Sequence, residues 1–248
     1  LFVLYYLVPK KFQWMLLLLA SYVFYSFAGI RYIAYILATT LSTWLASRMI
    51  GKLKDTQAEY LEKNKETLSR EEKKAYKERT KKRQRLWLVL CMVFNFGILA
   101  VLKYSGFVLQ NVKSVFNVLS VKNNIPILRF ALPLGISFYT FQTMGYIIDV
   151  YRDKYPYEKN VFKLALFISF FPQLIQGPIS RFDDLKKTLF DEHSFDLKAI
   201  SFGFQRILWG FFKKLVIADR LLPAVNTIVR NPEEYQGVFV LIGMFFYA

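Results

Sequence analysis

The segment Pro133–Arg152, PLGISFYTFQTMGYIIDVYR, constrains this chain more than any other. Its length matches one bilayer crossing, about 20 residues. It nevertheless carries a proline, two glycines, a serine, a glutamine and three tyrosines, and closes on an acid and a base. A helix that only met lipid would be built of Leu, Ile and Val. Polar groups and helix breakers at membrane depth persist where they pack on protein or line a wet cavity. The segment is therefore expected to face the interior of a helical membrane protein.

The rest of the chain agrees. Apolar residues make up 54% and aromatic residues 18%, and long apolar runs alternate with short charged loops. That alternation is the pattern of a polytopic helical membrane protein, so the expected fold class is all-α, a transmembrane helical bundle. The net charge of +16 would suggest nucleic acid in a soluble protein. Here the basic residues flank apolar runs, so loop orientation and anionic lipid headgroups account for them, and no nucleic acid is expected as a partner. The single cysteine, Cys91, lies in an apolar run and reads as a small buried residue.

The runs are Gln13 to Ala28, Tyr32 to Ile50, Leu86 to Leu102, Phe107 to Val121, Pro133 to Arg152 and Val161 to Ile175, with another starting at Gly237. Phe107 to Val121 carries polar residues and reads as a separate short or interfacial piece. Lys122-Asn123-Asn124-Ile125-Pro126 reads as a turn. Leu197 to Ile217 has apolar residues at helical spacing interrupted by Lys and Arg, an amphipathic helix at the interface or against the bundle. Residues 52–85 form the one long polar stretch, with 13 Lys or Arg against 7 Asp or Glu, a net of +6. They are expected to be a solvated, partly helical cytoplasmic loop, with a helix start at Ser69 three residues before Glu72. Basic loops placed by the positive-inside rule put Lys10-Lys11 and 52–85 in the cytoplasm and the Gly29 turn and Lys103 on the far side. One membrane domain, residues 1–248, is expected. Both ends fall inside apolar runs, so the chain reads as truncated at both ends.

Within the polar span, Tyr139, Gln142, Thr143 and Tyr146 recur at i, i+3, i+4 and i+7 and share one helical face. Two readings stand: a substrate-binding wall, or hydrogen bonds to neighbouring helices that glue the bundle. Asp149 and Arg152 are spaced to form an ion pair at the helix end. Pro172-Gln173-Leu174-Ile175-Gln176-Gly177-Pro178 reads as a broken helix or re-entrant loop lining a cavity, with Arg181 following as an anion anchor or a snorkelling side chain. The only histidine, His193, sits in a polar loop and reads as a surface residue. No metal-ligand spacing, phosphate loop or dinucleotide fingerprint is present.

LPLGISFYTFQTMGYIIDVYR, FPQLIQGPISRF and GFFKKLVIADRL, in this order after LLLLASYVFYSFAG, resemble the membrane-bound O-acyltransferase (MBOAT) family, on its alginate O-acetyltransferase branch. The resemblance covers nearly the whole chain. It implies a polytopic bundle with a funnel to a site inside the bacterial cytoplasmic (inner) membrane. It also implies transfer of an acyl group, acetyl on this branch, from a thioester donor (acetyl-CoA or an acyl carrier) to hydroxyls of an extracytoplasmic polysaccharide. The donor is a cosubstrate; no bound cofactor and no metal are implied. A partner acetyltransferase or carrier protein is implied as well, alongside membrane lipid. The family's histidine motif, F-W-R-x-W-H, is not in this chain, so no catalytic residue is assigned and His193 does not inherit the role. What the chain is expected to supply is a substrate-binding wall of Tyr139, Gln142, Tyr146, Gln173 and Arg181. D-alanyl or other acyl transfer to a wall polymer stands as an alternative, as do a transporter and a non-catalytic scaffold.

Overall fold

A computed structural model describes residues 1–118, 132–175 and 177–247. The expected turn at Lys122–Pro126 and the amide of Gln176 lie outside the described residues. The described residues are all-α, with no strand among them. They divide into two compact units, Leu1–His193 and Ser194–Ala248.

The first unit holds α1 (Phe2–Leu7), α2 (Gln13–Ala28), α3 (Ile33–Lys63), α4 (Arg70–Val118), α5 (Ile136–Tyr151), α6 (Val161–Ser169), α7 (Phe171–Leu174) and α8 (Phe182–Phe190). The α2–α3 turn is as short as the sequence suggests. Gly29 takes φ +135°, a conformation closed to side-chain-bearing residues, and one 3₁₀ turn, Ile30–Tyr32, completes the reversal. By length and composition, α3 and α4 are long and apolar enough to cross a membrane.

Residues 52–85, expected to be partly helical, are helical almost throughout. α3 runs on through Lys63, α4 begins at Arg70, and only residues 64–69 lie outside helix. The composition explains this, because the stretch is made of strong helix formers with no proline or glycine after Gly51. The helix start falls where the sequence places it. The Ser69 hydroxyl accepts from the Glu72 N–H at 3.2 Å, and the Glu72 carboxylate accepts from the Ser69 N–H at 2.9 Å. Tyr60 and Tyr76 stack across the two helices at 4.4 Å, so the polar stretch is a helical arm.

A second correction concerns Phe107. No separate piece begins there, because α4 continues unbroken through Lys103, giving a helix about 70 Å long at 1.5 Å per residue. A charge at position 103 interrupts apolarity without interrupting hydrogen bonding, and Gly106 alone costs a helix only about 1 kcal/mol.

α3 and α4 are held in register by polar groups as well as by packing. Asn95 donates to the Ser42 hydroxyl at 3.0 Å and to its own helix at the Cys91 carbonyl. Cys91 is buried beside Thr43. Such interhelical bonds are worth about 0.6 kcal/mol each on average in bilayers. Tyr25, Ile36, Ile50, Ile136, Ile147, Leu164 and Phe167 fill the core between α2, α3, α5 and α6.

α6, α7 and α8 form a hairpin that enters the bundle and leaves at the same end. α6 starts beside Trp14 and Trp44, whose Nε1 donates to the Lys159 carbonyl. α7 reaches half-way along α2, where the Phe171 N–H donates to the Ser21 hydroxyl at 3.3 Å. α8 then returns, placing Phe190 under the Lys163 ammonium at 5.2 Å.

The second unit comprises α9 (Leu197–Phe212), a π-helical stretch Lys213–Ala218, α10 (Asp219–Arg230) and α11 (Val238–Tyr247). Asp196 caps α9 by accepting from the Lys198 N–H. The π stretch falls within the motif GFFKKLVIADRL and is spanned by the Lys214–Asp219 ion pair. α10 and α11 pack against each other where Gly243 meets Ile228.

Candidate functional site

The site begins with a glycine. Gly135 caps the start of α5 at φ +69°, and a Cβ there would lie 2.1 Å from the Leu174 carbonyl oxygen. Only glycine lets α5 and α7 come this close. The contact sets the depth at which the inward face of α5 meets the broken helix.

That face is buried in protein, as the sequence suggests. Tyr139, Gln142, Thr143 and Tyr146 are 1%, 7%, 0% and 1% exposed, while Phe141 on the opposite side is 49% exposed. The hydrogen bonds then divide four of the five expected wall residues into two kinds.

Gln142 and Tyr146 each make a hydrogen bond that holds the fold. Gln142 donates to the Phe167 carbonyl at 3.1 Å. In an unbroken helix that carbonyl would take the Phe171 N–H, which here goes to Ser21. The break at Phe170, followed by Pro172 without an N–H, leaves carbonyls that need outside partners, and Gln142 is one. The Tyr146 hydroxyl accepts from the Glu158 N–H at 2.8 Å. The Glu158 carboxylate accepts from Asn160, and Asn160 caps α6 through the Phe162 N–H. Tyr146 thus fixes the loop that launches the hairpin, and its ring packs edge-on against Phe182 at 5.0 Å.

Tyr139 and Gln173 are different. The Tyr139 and Tyr25 hydroxyls are buried facing each other from α5 and α2, and neither has a hydrogen-bond partner elsewhere among the described residues. Gln173 donates from Nε2 to the Ser180 hydroxyl at 2.9 Å, but its Oε1 is buried and unpartnered, as is Ser169 Oγ at the end of α6. Buried polar atoms are nearly always paired, and leaving one unpaired costs about 1–3 kcal/mol. Two such atoms, Ser169 Oγ and Gln173 Oε1, flank the break between α6 and α7. Arg181 lies apart from this group. It is exposed at the start of α8 and contributes backbone only to the cap.

At the C-terminal end of α5 the expected Asp149–Arg152 pair does not form. The chain turns through Asp153 at φ +60° and brings Lys154 back to Asp149 at 2.7 Å. Arg152 is left to line a cavity of about 660 Å³ with Lys54, Lys77, Lys81 and Gln84. Nearby, burial raises the Tyr155 phenol pKa above its ordinary value, with Asp149 adding to the effect. Tyr139, Gln142, Tyr146, Gln173 and Arg181 do not line this cavity, nor the apolar one of about 580 Å³ formed by Tyr5, Phe170, Phe171, Pro172 and His193.

Sequence reasoning passed over Gln13. It is 2% exposed, accepts from the His193 N–H and donates to the His193 carbonyl. A lone glutamine at the first position of an apolar run was the available signal. His193 is half-buried, and its Nε2 lies 3.0 Å from the Thr188 carbonyl. Among the described residues no group of three or more His, Cys, Asp or Glu is placed to hold a metal.

No family model and no solved structure matches the chain. Curated proteins do. The chain is 34% identical over 223 residues, 90% of its length, to a protein named probable alginate O-acetylase from Azotobacter vinelandii. It is 32% identical over 218 residues to the Pseudomonas aeruginosa protein of the same name. A peptidoglycan O-acetyltransferase from Helicobacter pylori is 29% identical over 229 residues. The chain belongs to the membrane-bound O-acyltransferase family. It spans about 40% of the length of the alginate O-acetylases it matches. Membership in this family, together with the apolar α3 and α4, makes it a membrane protein. For a membrane-bound O-acyltransferase, the α6–α7 break and Tyr139 on α5 offer buried polar atoms, as do Tyr22 and Tyr25 on α2 and Tyr155 after α5.

Proposed function

We propose that this chain forms the N-terminal and central part of a multi-pass acyltransferase of the bacterial cytoplasmic membrane. The enzyme moves an acetyl group from a thioester, acetyl-CoA or an acyl carrier, to hydroxyls of an extracytoplasmic polysaccharide. The observation that carries this reading is the 32–34% identity to alginate O-acetylases across about nine tenths of the chain.

In the reaction, a sugar hydroxyl oxygen attacks the thioester carbonyl carbon. The C–O bond forms, the C–S bond breaks, a base takes the hydroxyl proton, and the departing thiolate takes up that proton to leave as the thiol. An imidazole suits that base because it titrates near neutral pH. We assign no such role to His193, which lies in the loop after α8 with its backbone held by Gln13. We place the base in the part of the relatives' length that this chain does not span. The role left to this chain is to shape the approach. Gln173 Oε1 can accept from a sugar hydroxyl, and Tyr139 O–H, which faces only Tyr25, can turn to donate to a sugar hydroxyl or the acyl carbonyl, while Gln142 and Tyr146 hold the hairpin that positions them. Membrane lipid surrounds the outward face of α5. A partner acetyltransferase or carrier protein completes transfer at the outer surface.

A second reading, D-alanyl transfer to a wall polymer, draws on 33% identity over 99 residues to a teichoic acid D-alanyltransferase from Lacticaseibacillus rhamnosus. Deleting the encoding gene and analysing the secreted and wall polysaccharides by NMR distinguishes the cases. Loss of O-acetyl signals, restored by complementation, is the expected result. Loss of D-alanyl esters instead would favour the second reading. Unchanged esters of both kinds would point to a transporter or scaffold and overturn the proposal.

A further inference from the structure

The cavity beside the α3–α4 arm is built differently from everything described above. Its volume is about 660 Å³ and its lining includes Lys54, Lys77, Lys81 and Arg152 against a single acid, Asp153. That acid is already engaged. Lys54 pairs with it at 2.5 Å and also donates to the Val150 and Tyr151 carbonyls, capping the end of α5. Lys54 is thus a fixed strut, and its ion pair removes Asp153 as a competitor for the other cations.

Lys77 and Lys81 stand one turn apart on α4 and face the cavity together. Across it, Arg152 sits just past the end of α5 with no ion-pair partner among the described residues. Gln84, one turn below Lys81, is only 6% exposed, lines the same space, and has no hydrogen bond among the described residues. An amide open to a cavity that three uncommitted cations also line is a set of donors available to oxygen acceptors. Two lysines and a guanidinium converging on one space match the charge and geometry of a phosphate group.

We propose that this cavity is a binding site for a phosphate group, with Lys77, Lys81 and Arg152 neutralising the charge and the Gln84 amide donating to an oxygen. The ligand is either a phosphorylated small molecule of the coenzyme A type or the headgroup of an anionic phospholipid. The two share the same chemistry at this site. The assignment does not depend on acyl transfer, and its test reads binding rather than activity.

The test uses the full chain in nanodiscs of neutral phosphatidylcholine. Coenzyme A is titrated by calorimetry, and separately the discs are doped with phosphatidylglycerol and lipid retention is measured after detergent exchange. Lys77→Gln/Lys81→Gln is expected to weaken binding of whichever probe binds by about tenfold or more. Lys77→Arg/Lys81→Arg should keep it. Gln84→Leu, which leaves net charge unchanged, should weaken it about threefold or more. Lys82→Gln/Arg83→Gln removes the same charge from residues outside the cavity lining and should leave it within twofold. Coenzyme A binding with this variant pattern identifies the soluble ligand; phosphatidylglycerol retention with the same pattern identifies the headgroup. Absence of binding to both probes, or equal losses in the two double charge-removal variants, overturns the site.

Discussion

Gln13 holds His193 by two backbone hydrogen bonds, accepting its N–H at 3.0 Å and donating to its carbonyl at 2.9 Å. One buried amide at the start of α2 thereby fastens the end of the hairpin 161–193 to the bundle. The pair uses the backbone of His193, so the two residues should respond differently to substitution. Gln13→Ala leaves buried backbone groups unpaired and should destabilise the protein by about 2–4 kcal/mol. His193→Ala keeps both bonds and should change acyl transfer by the complete protein by less than about threefold, as expected of a positioning loop rather than a catalytic base. Thermal unfolding in detergent and an acetyl-transfer assay check the two halves. A hundredfold loss of transfer in His193→Ala would return that residue to the chemistry.

Gly135 and Gly145 lie on the same helix or its cap and should respond in opposite directions. At Gly135 a methyl group meets the Leu174 carbonyl and the backbone is left-handed. Gly135→Ala should therefore cost well over 2 kcal/mol, from the φ penalty plus displacement of α7. At Gly145 a Cβ meets nothing within 4 Å. Gly145→Ala should stabilise by about 0.5–1 kcal/mol through helix propensity. Melting temperatures of the two variants, measured side by side, decide this.

The inward orientation of the polar span was legible from sequence because dipoles in lipid must be paired, and Tyr139, Gln142, Thr143 and Tyr146 are all buried in protein. The broken helix at Phe170–Leu174 was legible from its proline. What each residue does was not. Gln142 and Tyr139 look alike as polar residues on one face, but their roles depend on which neighbour's carbonyl the break leaves unpaired, a tertiary fact. The Asp149–Arg152 spacing suggested a pair that a tight turn at Asp153 redirected to Lys154. The arm is more helical than its charge suggests, for a simpler reason. Charge density at 52–85 signals solvent, and solvent exposure does not exclude helix.

The start of α4 carries a pH dependence. Hydrogen bonds from the Ser69 backbone and hydroxyl region lower the Glu72 pKa below its usual value, so the folded arm favours the carboxylate. A depressed folded-state pKa stabilises above the unfolded value, about 4.3, and that contribution is lost as pH falls through the lower folded value. Amide exchange at Ser69–Lys73 should therefore rise as pH drops below about 4, relative to a Glu72→Gln variant that has no such transition. Identical pH profiles for the two proteins would contradict it.

Tyr146→Phe should behave as a fold variant. Its hydroxyl is the acceptor for the Glu158 N–H, so the substitution strands a partly buried donor at a cost of about 1–3 kcal/mol. Any fall in acyl transfer by the complete protein should track that loss of stability, and lowering the assay temperature should recover much of it.

Tyr139→Phe in the complete protein separates a site from a merely well-packed bundle more directly than any other measurement. The hydroxyl it removes faces only that of Tyr25 among the described residues, so the melting temperature should change little. If the atoms left unpaired around the α6–α7 break serve substrate, acyl transfer should fall about tenfold or more at unchanged stability. Transfer at the parental rate in a fully stable Tyr139→Phe protein would contradict the assignment of this face to the site.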